Sequence, residues 1–418
     1  MNWITTWSYL PLDYGCTMGT LQKITQRTVF WNNVQGTKAK IKFSNKYGST
    51  MLKMKEVVLS KESKEGDQEQ GHTEITLQGA REIVLLPGEE KYSDEVDFSV
   101  SAGTSLVLYI YFEEKVTIES SCCTWAKESW STSYQKGGLG NQALGQDHAR
   151  SHEVFPFIKD YMSEADVLVG VSEIKLLSEE KVQGIAMFGD SITHMSFYTD
   201  ALMKALHQEF PGKVAVLNRG LGGNKLLTDA TVLPKIPGEG RSSGEAGIKR
   251  FERDVYGDER PELVLVLLGI NDLMHPYLIG KKETLPKTEE MIKGYEELAR
   301  LCHEKGSQMY LGTLLPWKHE AIPFGQEGEE IRIQLNDWIL HQRSTAGVFD
   351  FAKATKKDQE TMKDALHIGD GLHPNREGGI VMAQEVIRTG GIVNGINTDG
   401  LFISSIGKNC HSACLYTK

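Results

Sequence analysis

Four short polar blocks punctuate the second half of the chain: Gly189-Asp190-Ser191, Asn218-Arg-Gly-Leu-Gly-Gly-Asn224, Gly269-Ile-Asn-Asp272 and Asp370-Gly-Leu-His-Pro374. A serine hydroxyl is a weak nucleophile and needs a base within hydrogen-bond reach, itself oriented by a third group. Asp370 and His373 lie close together on one turn and could supply both. The carboxylate would hold one imidazole nitrogen while the other faces Ser191. The anion formed when serine attacks a carbonyl needs donors fixed in advance, each worth roughly 10²–10³ in rate. Gly223 lets a ligand approach its backbone N–H closely, and Asn271 offers a side-chain amide.

The elements that must position these residues can be read from periodicity. Residues 182–188 form an apolar run that Gly189 ends. Met195, Tyr198, Leu202 and Leu206 then recur at helical spacing on one face. Asp190 and Ser191 therefore fall in a strand-to-helix turn. Ser191 lies beside the helix's positive end, where unpaired N–H groups favour an anion. The plainer alternative is that both residues merely cap the helix. Apolar strands follow at 214–217, 263–268, 308–314 and 348–351. Between them run helical faces such as Met291, Tyr295, Leu298 and Cys302, or Ile331, Leu335, Trp338 and Ile339. This alternation predicts a parallel sheet covered on both faces. Ligands bind beyond the C-terminal ends of such strands, and the four blocks all follow strand ends, so they are expected to converge.

Before residue 178 the rhythm is different. Ala39, Ile41 and Phe43 alternate with Lys38, Lys40 and Lys42, and Leu52 and Met54 with Lys53 and Lys55. Further strands at 75–77, 83–86, 96–100 and 106–112 are separated by turns such as Pro87-Gly88 and Ala102-Gly103. Period-two patterning of this kind predicts antiparallel strands packed on one side, in a β-sandwich of jelly-roll type. Residues 165–177 read as its last strand. Residues 124–150 lack apolar periodicity, and a long loop there would carry Trp125, Trp130 and Tyr134 either to a ligand or into a domain interface. The expected organisation is a sandwich over 1–178, an α/β domain over 182–392 and a tail of unassigned role over 393–418.

The totals narrow the class. A chain of 418 residues, 40% hydrophobic and 24% charged, suits two globular domains. A net charge of −10 and a pI of about 5.7 disfavour nucleic acid as a partner, since phosphates call for a basic face. No stretch reaches the roughly 18 apolar residues of a membrane helix. The first residues lack a basic segment followed by an apolar one, which points to a cytoplasmic protein. Six irregularly spaced cysteines suggest neither a disulfide framework nor a zinc site, with Cys410 and Cys414 the one pair to follow. His367, Asp370 and His373 have acceptable metal-ligand spacing, but a serine at a strand end needs no metal, and no metal or other cofactor is expected. The glycines before Lys225 do not complete a dinucleotide fingerprint, and there is no P-loop.

Taken in order, Gly189-Asp-Ser-Ile-Thr193, Gly222-Gly-Asn224, Gly269-Ile-Asn-Asp272 and Asp370-Gly-Leu-His373 resemble the blocks of the SGNH/GDSL hydrolase family. The resemblance implies a three-layer α/β/α, flavodoxin-like domain and hydrolysis of acyl esters. It implies Ser191 as nucleophile, His373 as base and Asp370 as orienting acid. The oxyanion hole would be the Ser191 N–H, the Gly223 N–H and the Asn271 side chain. Trp7, Ile41-Lys-Phe-Ser-Asn-Lys-Tyr-Gly48 and Asn218-Arg-Gly-Leu-Gly-Gly-Asn-Lys-Leu-Leu227 are similar to a two-domain subgroup of GDSL-type lipases and acylhydrolases, in which a β-sandwich precedes the catalytic domain. Two residues depart from the pattern. His194 stands where an acidic residue commonly follows the first block, and Asn224 where many relatives carry Asp or Ser. With Asp190, Trp125, Trp130 and Tyr134, these two are candidate substrate contacts. The expected substrate is a short acyl ester, acetyl first, of a carbohydrate or small metabolite, with no membrane partner. Rival readings are an acyltransferase using the same residues, a carbohydrate-binding protein with an inactive hydrolase domain, and a metal-dependent hydrolase.

Overall fold

A computed structural model of the chain describes residues 1–62, 69–139, 148–157, 164–234 and 236–390. Cys410, Cys414 and the tail over 393–418 lie outside the described residues.

Alternation of apolar and polar side chains builds the N-terminal part. One antiparallel sheet runs in the order Asn2–Ser8, Val171–Ser178, Gly36–Ser44, Glu90–Tyr92, with Val96–Val100 also paired to Gly36–Ser44. A second runs Trp130–Lys136, Ile24–Phe30, Leu106–Phe112, Glu56–Glu62, Glu69–Glu74. Along Gly36–Ser44 the apolar Ala39, Ile41 and Phe43 are buried, while the intervening lysines stay partly exposed. Inward residues such as Trp7, Phe30, Ile41, Leu59 and Ile110 share one apolar core, so the region is sandwich-like.

Three segments here differ from expectation, the simplest being 75–77, where the strand lies instead at Glu69–Glu74 and Leu77 makes only an isolated bridge. Residues 124–150 are not a single loop, because Trp130–Lys136 is a strand paired along its length with Ile24–Phe30. Trp130, Thr132 and Tyr134 are buried and Ser131 and Ser133 partly exposed. Small hydroxyl side chains on both faces concealed that alternation. Residues 165–177 hold two strands, Asp166–Leu168 and Val171–Ser178, and the first pairs with Ser120–Thr124 rather than with the main sheet.

The C-terminal part is a parallel sheet in the order Val214–Gly220, Gln183–Gly189, Leu263–Leu267, Gln308–Gly312, Gly347–Phe349. Leu263–Leu267 is buried at every position, as a strand covered on both faces must be. Phe197–Glu209 packs with Arg376–Arg388, while Gly247–Tyr256, Thr288–Glu304 and Gln326–His341 pack in succession, giving a three-layer α/β/α arrangement. Gln183–Gly189 is flanked by the strands that follow it on either side. Its end is therefore the topological switch point at which open α/β sheets bind ligands.

The helix expected after Ser191 is interrupted. Ser191–His194 is a single turn, Ser196 has a left-handed backbone (φ 72°), and Phe197–Glu209 starts anew. Left-handed backbone is strained for a residue with a side chain. Here the Ser196 hydroxyl holds it, donating to the His194 carbonyl at 3.1 Å and accepting from Thr124 Oγ1 at 2.9 Å and Asn218 Nδ2 at 3.2 Å.

Thr124 belongs to the sandwich, and it is one of several ties across the seam. Ala126 N–H donates to the Met195 carbonyl at 3.0 Å, Ser129 N–H to Asp200 Oδ2 at 3.2 Å, and Asn33 Nδ2 to the Val214 carbonyl at 2.6 Å. Val182, Ala215 and Leu221 pack into the sandwich core. No helix among the described residues is long and apolar enough to cross a membrane. Asn33 and Val214 are both buried, so Asn33→Ala should strand a carbonyl without water. The expected cost is about 1–3 kcal/mol in urea denaturation. An unchanged midpoint would show the seam bond to be dispensable.

Candidate active site

Ser191 opens the single helical turn, where N–H groups have no intrahelical partner. Asp190 caps that turn, its Oδ1 accepting from the Ile192 N–H at 3.0 Å. The Ser191 hydroxyl lies 2.7 Å from His373 Nε2, and His373 Nδ1 lies 2.5 Å from Asp370 Oδ2. Asp370 Oδ1 also accepts the N–H groups of Leu372 and His373, each at 3.0 Å. Burial would push this carboxyl up. The hydrogen bond and charge of His373, with the two backbone donors, outweigh burial and hold it down at about 2. An ionised carboxylate can only accept, so the imidazole proton belongs on Nδ1. Nε2 is then free to accept from Ser191.

The loop bearing Asp370 is fixed from within. His367 Nδ1 accepts the N–H groups of Gly369 and Gly371, each at 3.0 Å. Asn375 caps Arg376–Arg388 through Gly378 N–H while its amide donates to the carbonyls of Ala365 and His367. The His367 ring nitrogen facing the loop is thus committed to backbone, not to a ligand shared with His373. Among the described residues, no group of three or more His, Cys, Asp or Glu side chains is placed to hold a metal ion.

Gly222 and Gly223 follow the end of Val214–Gly220 and are half-exposed. Gly223 has φ of 74°, and a Cβ there would lie 2.5 Å from Ser243 Oγ, so only glycine fits. A Cβ on Gly222 would come within 3.9 Å of the Ser191 Cβ, which puts this loop beside the nucleophile candidate. Asn271, buried at the start of Ile270–Leu278, uses one amide hydrogen on the Asn224 carbonyl at 2.9 Å. An amide nitrogen carries two donors, so one remains. Three strand ends thus bring together a hydroxyl with a polarised base beside it and fixed N–H donors, an arrangement able to bind an ester carbonyl as it becomes tetrahedral.

Residues 187–379 match the family model described as GDSL-like lipase/acylhydrolase. The chain carries a domain of that family. It is accordingly a carboxylic ester hydrolase. Solved structures similar to about half of it include LAE5, an alpha/beta hydrolase enzyme from the metagenome of Lake Arreo, Spain, at 20% identity over 51% of this chain and 98% of that one, with a TM-score of 0.40. Another is Axe2, an acetylxylan esterase from Geobacillus stearothermophilus, at 19% identity over 50% of this chain and 94% of that one, with a TM-score of 0.38. At such identities and scores they add nothing to the functional reading. Comparison with curated proteins finds no match.

Five of the expected substrate contacts are placed elsewhere. Asp190 is buried behind Ser191 as the cap, and burial raises its carboxyl to about 7. His194 is buried against the sandwich, with Nε2 3.6 Å from Cys123 Sγ and its ring edge-on to Trp125. Desolvation lowers the His194 pKa to about 4, so the ring is neutral. Asn224 is buried with both ends of its amide engaged, Nδ2 on the carbonyls of Ser243 and Glu245 and Oδ1 on Arg250 Nε. Trp130 packs on Trp7 and Tyr9 in the sandwich core, and the buried Tyr134 hydroxyl donates to the Val167 carbonyl. Trp125 alone of the six is half-exposed.

Sequence reasoning missed Arg250 and Asp272. Asp272 accepts the N–H groups of Leu226 and Leu227 at 2.6 and 3.0 Å, pinning the chain after the glycine loop. Arg250 could have been noticed as a charge on the inward stripe of Gly247–Tyr256, with Asp254 one turn on and Phe251 and Val255 beside it.

Two outcomes follow. Trp130→Ala should cost about 3–5 kcal/mol of stability while leaving KM for a small soluble ester within twofold; a large KM change with native stability would return Trp130 to the substrate. Because the folded Asp370 carboxyl lies below the ordinary 3.8, its stabilisation is complete above the unfolded value and fades as pH falls through about 2. That shift corresponds to about 2 kcal/mol. Urea denaturation from about pH 5 to pH 2 should show wild type losing that much more than Asp370→Asn, and equal losses would contradict the ionised pair.

Proposed function

We propose that the protein hydrolyses short acyl esters, acetyl first, of a hydroxyl-rich alcohol such as a carbohydrate, with Ser191 as nucleophile. The observation that carries this is the 2.7 Å contact of Ser191 Oγ with His373 Nε2, the other ring nitrogen being held by Asp370. Ser191 attacks the ester carbonyl as His373 takes its proton. The oxyanion rests on the Ser191 N–H, the Gly223 N–H and the Asn271 amide. His373, now protonated, passes that proton to the leaving alcohol. Water, deprotonated by the same imidazole, then releases the acid from the acyl-serine. Asp370 stays ionised throughout and stabilises the imidazolium.

Support for a hydroxyl-rich alcohol comes from a cleft of about 410 Å³ at the seam between the sandwich and the hydrolase domain. Lys46 and Tyr47 line it from the sandwich, and Asp229, Arg241, Glu245 and Leu221 from the other side. Leu221 adjoins Gly222, which ties the cleft to the glycine loop. Cations and carboxylates together with an aromatic ring suit a neutral ligand that both donates and accepts hydrogen bonds and has an apolar face.

Ser191→Ala should abolish covalent labelling by a fluorophosphonate. Such a variant should retain a residual activity of about 10³–10⁴-fold over water, from the oxyanion donors and binding. Labelling and turnover at the wild-type level would remove Ser191 from the chemistry. A panel of 4-nitrophenyl esters of graded length, run beside acetylated sugars, tests the substrate. A maximum at long chains, or no turnover of the sugars, would overturn that part.

A further inference from the structure

Arg250 is fully buried, and its guanidinium spends its donors on three acceptors drawn from two neighbouring strand ends. Nη2 donates to the Gly189 carbonyl at 2.8 Å, Nη1 to the Arg219 carbonyl at 3.0 Å, and Nε to Asn224 Oδ1 at 2.9 Å. Its carboxylate neighbour is Asp254, 3.2 Å from Nη1, and its plane covers the Phe188 ring at 4.0 Å. Taking a guanidinium out of water costs several kcal/mol, and an apolar side chain of similar volume often fills such a site without loss. Stability alone therefore gives a poor account of a cation here. What an apolar side chain cannot do is hold three acceptors at fixed angles, which the planar fork does.

Those three acceptors are the anchors of the oxyanion donors. Gly189 lies two residues before Ser191. Asn224 follows Gly223, and its carbonyl is the acceptor that orients the Asn271 amide. Arg219 is the penultimate residue of the strand from which the glycine loop departs. An oxyanion hole works only if its donors stand within hydrogen-bond distance of where the charge will form, and a displacement of about 0.5 Å is enough to spoil it.

We infer that Arg250, acting through Asn224, is the positioning residue that sets the spacing of the Ser191, Gly223 and Asn271 donors. The inference rests on the reading of those groups as the oxyanion hole of a Ser191 hydrolase. Arg250 touches no substrate. It keeps the donors in one rigid frame while the carbonyl oxygen changes charge.

The test is a set of full-length variants on 4-nitrophenyl acetate: Arg250→Lys, Asn271→Ala, the double variant, and Ser191→Ala. Arg250→Lys keeps the charge and loses the fork. It should lower kcat about 10²-fold, as removal of an oxyanion donor does, with KM within twofold. It should also weaken a trifluoromethyl ketone inhibitor, whose adduct is an oxyanion, by the same factor. In the double variant the effects should fall well short of multiplying, because both act on one donor set. A structural role alone would leave kcat and inhibitor affinity near wild type in the folded fraction, or make the two effects multiply, and either result overturns the inference. If Arg250→Lys does not fold, Asn224→Leu, which keeps the volume but removes the acceptor that links Arg250 to the loop, replaces it in the same measurements. The same losses are then expected, and the same results overturn the inference. A Ser191→Ala variant as active as wild type would instead overturn the hydrolase reading itself, so the two failures are distinguishable.

Discussion

The contact between Ser191 and His373 joins residues 182 positions apart, and much of the GDSL domain is arranged to keep it short. Orienting a nucleophile and its base beforehand removes entropy from the reaction step, provided neither can drift. Drift is limited at both ends. The segment after Ser191 leads into Phe197–Glu209, and the segment after His373 leads into Arg376–Arg388; the two helices pack directly on each other. At their crossing a Cβ on Gly379 would lie 2.4 Å from the Phe197 backbone, so the helices meet main chain to main chain. The separation of hydroxyl and imidazole is thereby set by a helix pair and does not depend on the loops alone.

The sandwich takes part in the same task. One group of its bonds to the hydrolase domain reaches Met195, Ser196 and Asp200, within ten residues of the nucleophile candidate, and Val214, while others hold Asp258, Glu259, Arg241 and Arg376. The left-handed Ser196 is the clearest case, since Thr124 of the sandwich and Asn218 of the sheet both bond the hydroxyl that holds it. A strained residue persists where its surroundings over-determine it. Here those surroundings come from both halves of the chain. The sandwich and the catalytic sheet therefore share one energetic unit around the turn that bears Ser191, and the linker between them needs no structure of its own.

What was legible in the sequence follows from this physics. Strands of the parallel sheet showed as uninterrupted apolar runs because both faces are covered, and the polar blocks stood out because they break those runs at one rim. The buried positions of Trp130 and Tyr134 were hidden because the strand bearing them alternates aromatic residues and threonine with serines, which hydropathy barely separates. The burial of His194 was hidden because Cys123, which stands 71 positions away in the chain, and Trp125 are what cover it. Arg250 and Asn224 were harder still. Their partners are largely backbone carbonyls of distant segments, and a carbonyl leaves no mark in a sequence.

The carboxyls of Asp190, Asp272 and Asp370 are separated by depth of burial and, for Asp370, by its bonds to His373 and the backbone. Burial raises Asp190 to about 7, with the charge of Asp272 adding to it, and raises Asp272 to about 6 despite two backbone donors. Asp370, less deeply placed and bonded to His373, stays near 2. Near neutral pH the carboxylate that is firmly ionised is thus the one in contact with Nδ1, where a negative charge favours the imidazolium. The carboxyl directly behind Ser191 carries less charge. On the proposed mechanism that matters, because a full negative charge there would oppose an oxyanion at the same helix end. Asp190 can serve as a cap at that position because its surroundings discourage it from ionising.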